Sequence, residues 1–535
     1  MPDFDEDLFF QRLATLAEDS PASHKAEELV PFGKKVIEYL PREELADEPV
    51  NDVAGRVNSL WEFMQHLEPQ RPKIRVFNPI LEEDGWVSDY TNIFIVRRNM
   101  PFLVDSVRIE LNRRGLNIHT LKSTILTVSR DSNCRLQSAF ADAEAGDSHR
   151  EAAILIQVDL HSSREEHEEL AAEIAEVLAD VEVVTDDHGP MMAATEEIIE
   201  HLRPDPSGLD GEDLEEVLAF LQWLVDGYFT FLGYAEYQLE EDDTGHLLVS
   251  RPDRRLGVFR RHPDSPDAPG EERPGSGREA FYGSAAPLAF TKSAERSRVH
   301  RDAYSDYIII KRYTDDGAIV GEYRILGLYT SPVYTRSPSA IPLIRLKVRQ
   351  VIERFGLPPG SHDDKSLRQL IEVHPRDELF HSSGDELYRT LMGIWQINER
   401  RMVRLFMRVD PFEKFVSCIV YFPRDIYRTQ VRQQVEDLLK QALDSRECDF
   451  TTYFSESVLA RTQYVLRIDS DRYRDVDRDE LEQRIISLTR DWGEELMKAS
   501  IEAWGEELGR RRANRYRHAF PASYRDHFEP REAIH

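Results

Sequence analysis

The residues best placed for chemistry lie in one stretch, "NMPFLVDSVRIELNRRGLNIHTL", from Asn99 to Leu121. An apolar run, "TNIFIVRR", precedes it and reads as a strand. Asn99 has the side chain of a helix cap. Pro101 suits a first helical turn, where a missing N–H costs nothing. Leu103, Val107 and Leu111 recur every four residues and give that helix one apolar face. Gly115 stands where a helix stops. A helix start offers unpaired N–H groups and the positive end of the dipole, which suit a carboxylate. Asp105, one turn in, is placed to meet an ammonium group. Asn99, Met100, Pro101 and Asp105 therefore make a candidate site for an amino acid. The plainer alternative is that Asn99 only caps and Asp105 is a solvated first-turn acid.

Other candidate clusters are weaker. His362, Asp363, Asp364 and His374 mix a loop with a helix and match no standard metal spacing, so capping and surface roles are expected. "GSGREA", from Gly275 to Ala280, satisfies G-x-G-x-x-A but follows "PDAPGEERP" rather than a strand, so it is not expected to hold a dinucleotide. No Walker-type loop, H-E-x-x-H or G-x-S-x-G occurs. A hydrolase built on His119, Asp105 or the Ser361 to Asp364 loop lacks a nucleophile, base and orienter in one context.

The elements that must carry these residues follow from the pattern. From Thr91 the chain reads strand, helix, strand, strand, helix, strand. Its fourth element is "REAAILIQVDL". The second helix is capped by Ser163 with Glu166, and "VEVVT", from Val181 to Thr185, is the closing strand. This is the ferredoxin-like βαββαβ order, with "KIRVFNP" as an added edge strand. "YSDYIIIKRY" and "GEYRILGLYTSPVY" form an antiparallel pair turned at Asp316-Gly317. "MVRLFMRVD" and "FVSCIVYFP" open a third strand–helix–strand–strand–helix run, closed by one long helix over "RDELEQRIISLTRDWGEELMKASIEAW".

The fold class expected is α+β, with three ferredoxin-like units in series. The boundaries are a helical extension at 1–70, a first unit at 71–188, a helical linker at 189–226, and a second unit at 227–375 with a long loop at 251–283. A connecting helix at 376–400, a third unit at 401–508 and a final segment at 509–535 complete the chain.

At 535 residues the chain is too long for one ordinary domain. Lys+Arg 68 against Asp+Glu 99 gives a net charge of −31, which disfavours nucleic acid or an anionic membrane as partner. Three cysteines make no disulfide scaffold. The acidic N-terminus has no signal-peptide pattern, and no apolar run reaches the ~20 residues a bilayer needs. The compartment expected is the cytoplasm.

"MPFLVDSVRIELNRRGLNIH" resembles the opening of an ACT domain, a module that often senses amino acids. "LGLYTSPVYTRSPSAIPLIRLKVRQVIERFGLPPGSHDDKSLRQLIEVHPRDELF", "RLFMRVDPFEKFVSCIVYFPRDIYRTQVR" and "FTFLGYAEYQL" resemble blocks of the large bacterial NAD-specific glutamate dehydrogenases, in the same order. The resemblance runs from about Val50 to the end. It implies three ACT-like domains, with the dehydrogenase module and its NAD site further along the chain. "FEPREAIH" then reads as a helix begun and not continued, and no catalytic or NAD-binding residue of the family is expected here. The resemblance implies the regulatory and assembly region of such an enzyme, a homo-oligomer working with its catalytic module, with NAD as cofactor of the parent and an amino acid as effector. The alternative is a stand-alone ACT-repeat protein that senses amino acids.

Overall fold

The computed structural model describes residues 4–19, 26–38, 40–68, 71–143, 148–206, 208–209, 211–243, 245–397, 400–454, 457–469, 476–489, 492–516, 519–521, 524, 528 and 530–534. Alternation along one strand explains the first unit. In β2 (Thr91–Arg98) Ile93 and Ile95 face one way, and Phe94 and Val96 the other. All four are fully buried, so the sheet must be covered on both faces. Helices Leu103–Arg113 and Arg164–Asp186 cover the first face. The N-terminal helices Glu6–Asp19, Ala26–Ile37 and Val50–Phe63 cover the second, with Phe9, Phe32 and Trp61 in its core.

The sheet itself joins β1 (Lys73–Phe77), β2, β3 (Ile118–Arg130), β4 (Leu136–Ser138) and β5 (Ser148–Val158) in the order β1-β2-β5-β3-β4. The expected closing strand at Val181 to Thr185 is instead the end of the Arg164–Asp186 helix. Val181 and Val184 are buried on its inner face, and that burial overrides their β preference. The edge beside β2 is filled by β1, which runs antiparallel from Lys73↔Val96 to Phe77↔Asn92. The strand that completes the ferredoxin-like order thus comes first in the chain rather than last.

The middle unit departs from expectation. It comprises β6 (Phe229–Asp242), β7 (Gly245–Ser250), β8 (Leu256–Gly257), β9 (Glu271–Glu272), β10 (Leu288–Arg296), β11 (Tyr304–Tyr313) and β12 (Ile319–Tyr329). Their order is β10-β11-β12-β6-β7-β9, with β8 also on β6, and every pairing is antiparallel. That is a meander closed by the long β12–β6 pairing, not a split βαβ unit. The hairpin at Asp316-Gly317 is as expected, with Gly317 at φ 85.

The segment expected as a helical linker at 189–226 packs into a core, and the segment expected as a long loop at 251–283 holds ordered elements. His188–Leu202 is a helix that buries Met191, Ile198 and Leu202. Within 251–283 lie β8, β9 and the helices Val258–Arg261 and Ser276–Gly283. Its charges misled because they point inward. Arg278 pairs with the fully buried Glu322 at 2.9 Å, and Arg255 donates to the carbonyls of Pro263 and Pro269.

The third sheet, β13 (Arg404–Val409), β14 (Phe415–Pro423), β15 (Cys448–Phe454) and β16 (Leu459–Arg467), has the order β13-β14-β16-β15. This is the first sheet's order again without its short β4, an edge strand placed ahead of the βαββα run. Helices Thr429–Ala442 and Arg478–Thr489 cover one face. Of the single long helix expected here, Arg478–Thr489 and Trp492–Trp504 are helical, and 490–491 lie outside the described residues.

The units stack in layers. The middle sheet shares one core with the first unit's helices, where Tyr237, Tyr307 and Ile309 meet Leu103, Ile174 and Leu178. Its other face packs on helices including Gly211–Trp223, Ile344–Phe355 and Gly384–Ile397. No helix among the described residues is long and apolar enough to cross a membrane.

Candidate functional site

The turn singled out in the sequence forms differently from expectation. The helix starts at Leu103, after Phe102 in a left-handed conformation at φ 67, so Asn99 is not its cap and Pro101 lies before its first turn. Gly115 does end it, at φ 73, with Leu116 N–H bonding the Leu111 carbonyl at 3.1 Å. Asn99 donates its backbone N–H to Arg150 O at 2.8 Å, and Met100 is buried in the shared core. Asp105 is half-exposed and paired with Arg108 at 2.9 Å. The middle unit closes over the turn. The His300 ring packs tilted against Phe102 with ring centroids 4.7 Å apart, and the His300 backbone N–H donates to Ser106 Oγ at 3.2 Å. Burial, with Arg301 alongside, holds the His300 imidazole below its ordinary value against the pull of Asp105. The four residues are thus brought near one another, but Met100 faces the core and Asp105 already has a cation.

The other sequence-named residues take structural roles. Ser361 accepts the Asp364 N–H at 3.1 Å, and Asp364 accepts from Gly360 N–H and holds Arg368. His374 is buried apart from them, and burial with Arg461 alongside drops it to about 3. No metal-binding cluster occurs among the described residues. His119 pairs with Asp159 at 2.8 Å and stacks on Tyr90. Burial pushes the Cys418 thiol up and Cys448 up to about 12, far from reactive thiolates. The glycine motif does not fit NAD. A Cβ on Gly277 would sit 1.8 Å from the Pro411 carbonyl oxygen, so its bare backbone serves contact with the third unit's β13–β14 loop rather than a pyrophosphate.

A second place was not found from the sequence. Between the middle and third sheets lies a cavity of about 220 Å³. Lys292, Arg301, Asp306, Asp377, Asp449 and Arg467 line it. Lys292 projects from β10 and bonds Asp306 on β11 at 2.7 Å and Asp377 at 2.9 Å. Burial opposes the Lys292 charge, and the two carboxylates more than offset it, so the ammonium stays protonated. Burial, with Asp377 adding to it, pushes Asp306 up to about 6 against the pull of Lys292. Two acids share one lysine here, and Asp377 Oδ1 has no hydrogen-bond partner. Across the cavity Arg301 donates to the Tyr329 carbonyl while its Nε is buried and unpartnered. Arg467 donates to Ser293 O at 2.9 Å and lies over the Tyr304 ring. Neither arginine has a carboxylate within ion-pair distance among the described residues, whereas Asp449 is held by Arg296 at 2.7 Å. The sequence signal was there to read: Asp306 interrupts the apolar strand "YSDYIIIKRY", and a charge in such a strand must be paired inside.

Polar contacts fasten the walls of this cavity. Arg408 on β13 makes a buried two-point pair with Glu378, at 2.8 and 3.0 Å. Thr291 donates to Asp410 at 2.9 Å, and Tyr304 bonds Glu447.

Comparison with known proteins agrees with the sheets. Family models of glutamate dehydrogenase match in four blocks: the ACT1 domain at 32–174, helical motif 1 at 341–400, the ACT2 domain at 404–493 and helical motif 2 at 501–535. The two ACT matches fall on the first and third sheets. The NAD-specific glutamate dehydrogenase of Halomonas elongata is 43% identical over 515 residues, 96% of this chain and 32% of that protein. The one from Pseudomonas aeruginosa is 36% identical over 527 residues, with the same two shares. The one from Mycobacterium tuberculosis is 27% identical over 458 residues, 82% of this chain and 27% of that protein. The chain spans about a third of the length of the curated relatives it matches. With four family blocks in chain order and two relatives matched along nearly all of it, the chain belongs to the NAD-specific glutamate dehydrogenase family.

Proposed function

We propose that this chain is the regulatory and assembly region of an NAD-dependent glutamate dehydrogenase. The parent reaction converts L-glutamate, NAD and water to 2-oxoglutarate, ammonium and NADH. The observation that carries the reading is the set of ACT and helical-motif matches on a chain whose one dinucleotide-like motif is spent on packing. Catalysis and NAD binding belong, in this reading, to the remaining length of the relatives. An amino acid at the Asn99 to Asp105 turn would have to displace Arg108 from Asp105, so the assembly role has more support than sensing at that turn. Exposed sheet edges favour self-association into a homo-oligomer.

The test is direct. The chain, titrated with NAD by calorimetry and assayed for glutamate-dependent NADH formation, is expected to do neither. In sedimentation it is expected to run as a dimer or larger. Micromolar NAD binding would overturn the reading, and a monomer at high concentration would remove the assembly half. The stand-alone amino-acid sensor is separated by the reading frame beyond the codon for His535, since a dehydrogenase encoded there favours the parent-enzyme reading.

A further inference from the structure

The cavity between the middle and third sheets gathers charges of both signs in one small space. Among the described residues, Arg301 and Arg467 line it with only carbonyl oxygens as hydrogen-bond acceptors. In its wall Asp377 Oδ1 and Arg301 Nε are buried without a hydrogen-bond partner, while the rest of the Asp377 side chain stays about 29% exposed. Leaving such groups unmet costs about 1–3 kcal/mol each, more when charged. A single small anion would satisfy the arginines and repel Asp377. A lone cation would do the reverse. A ligand carrying carboxylate and ammonium together satisfies all three. At about 220 Å³ the space equals roughly seven waters, the size of a small amino acid.

We propose that this cavity binds a small acidic α-amino acid, with Arg301 and Arg467 taking its two carboxylates and Asp377 its ammonium. The site is distinct from the Asn99 to Asp105 turn. It lies wholly within this chain, so it stands or falls separately from the parent-enzyme reading. Lys292 holds Asp377 in place through its other oxygen. The ligand touches the middle sheet through Arg301 and the third sheet through Arg467, and so fastens the two together.

The experiment is a calorimetric titration of the 535-residue chain with L-aspartate and L-glutamate, set against succinate and glutarate, which lack the ammonium. The amino acids are expected to bind at least about ten-fold tighter than the diacids. Asp377→Asn is expected to erase that preference, and Arg301→Met to weaken the amino acids about ten-fold or more. Asp105→Ala is expected to leave all affinities unchanged. Because Asp377→Asn could loosen the fold around Lys292, Thr451→Phe serves as a second variant. It narrows the cavity from the edge strand β15, keeps every charge, and is expected to abolish binding. No binding at tens of millimolar, equal binding of the diacids, or amino-acid binding indifferent to Asp377→Asn and Thr451→Phe would each overturn the proposal.

Discussion

The first and third sheets share one strand order apart from the short β4, yet they meet the middle unit in opposite ways. The first is joined through grease. Its helices and the middle sheet share a continuous core, with Ile174 and Leu178 against Tyr307 and Ile309, flanked by ion pairs such as Arg298–Glu110 and the buried Asp180 with Arg261 and His262. The third is joined through charge. Arg408–Glu378, Thr291–Asp410 and Arg296–Asp449 surround a cavity instead of a core. One topology can thus serve as fixed scaffold or as a movable wall, depending on which face it turns to its neighbour. Apolar burial is non-directional and strong, so it makes a permanent joint. Buried ion pairs are weak as net stabilisers but severe when half-broken, so they make a joint that is specific and sensitive.

The largest effect expected comes from breaking the charged joint on one side. Arg408→Met strands Glu378, whose carboxyl is fully buried and held low only by its partners, and should cost about 3–5 kcal/mol. Chemical denaturation followed by circular dichroism should show the third unit melting earlier and separately. Adding Glu378→Met should restore most of the loss; a double variant as weak as the single would contradict the charged-joint account.

Cavity-making substitutions sharpen the contrast. Ile174→Ala should cost about 2–5 kcal/mol and lower the first and middle units together, because they share its core. Leu439→Ala should cost a similar amount in the third unit alone. Hydrogen exchange resolves the two cases, and a first unit that opens without the middle sheet would refute the shared core.

Acid should act next, and mainly on the charged joint, since at the other joint the histidine held low is the half-buried His300. His374, held at about 3, and His381, held well below its ordinary 6.5, are kept neutral by burial. Arg461, Arg376 and Glu378 face the first; Lys292, Arg408 and Lys347 face the second. Both histidines bind fewer protons folded than unfolded, so their stability is present above about 6.5 and lost as pH falls below it. Asp306 and Asp410, pushed up to about 6 by burial, act oppositely. Their contribution is full below the ordinary 3.8 and lost as pH rises through 6. As pH falls below about 6.5 the histidines therefore weaken the third unit, and the two acids partly offset them as pH falls on toward 3.8. His374→Gln should flatten that fall and leave unchanged the pH response of the transition shared by the first and middle units, where His300 sits.

The smallest effect belongs to the residue that first drew notice. Asp105→Ala removes a half-exposed pair and should change stability by less than about 1 kcal/mol, read from the denaturation midpoint.

What could be read in advance was local. Gly115, the Ser163 cap with its 3.4 Å bond to Glu166 N–H, the Asp316-Gly317 turn and the edge strand β1 follow from adjacent residues. What failed depended on distant ones. Val181 and Val184 look like strand until the middle sheet is known to cover them. The 251–283 segment looks like solvated loop until Glu322 is placed beside Arg278. The cavity draws Lys292, Asp306 and Asp377 from three elements, and no spacing rule joins them. At the Asn99 to Asp105 turn the difference is a finer one, the left-handed Phe102 that shifts the helix start past Asn99 and Pro101.

The placing of an edge strand ahead of each βαββα run has a consequence for how the protein is made. As the chain leaves the ribosome, β1 can pair with β2 almost at once, closing a short loop at small entropic cost. The first sheet then has every strand in hand once β5 has emerged, before the Arg164–Asp186 helix is synthesised. In the usual order the last strand waits for the last helix, leaving an open edge in the meantime. Here the final helix arrives as a lid on a finished sheet, and its outer face then waits for the middle strands. The third unit repeats the sequence of events with β13 and β14. Each module is therefore spared a long exposure of its unpaired inner strand, where growing chains are most prone to stick to one another.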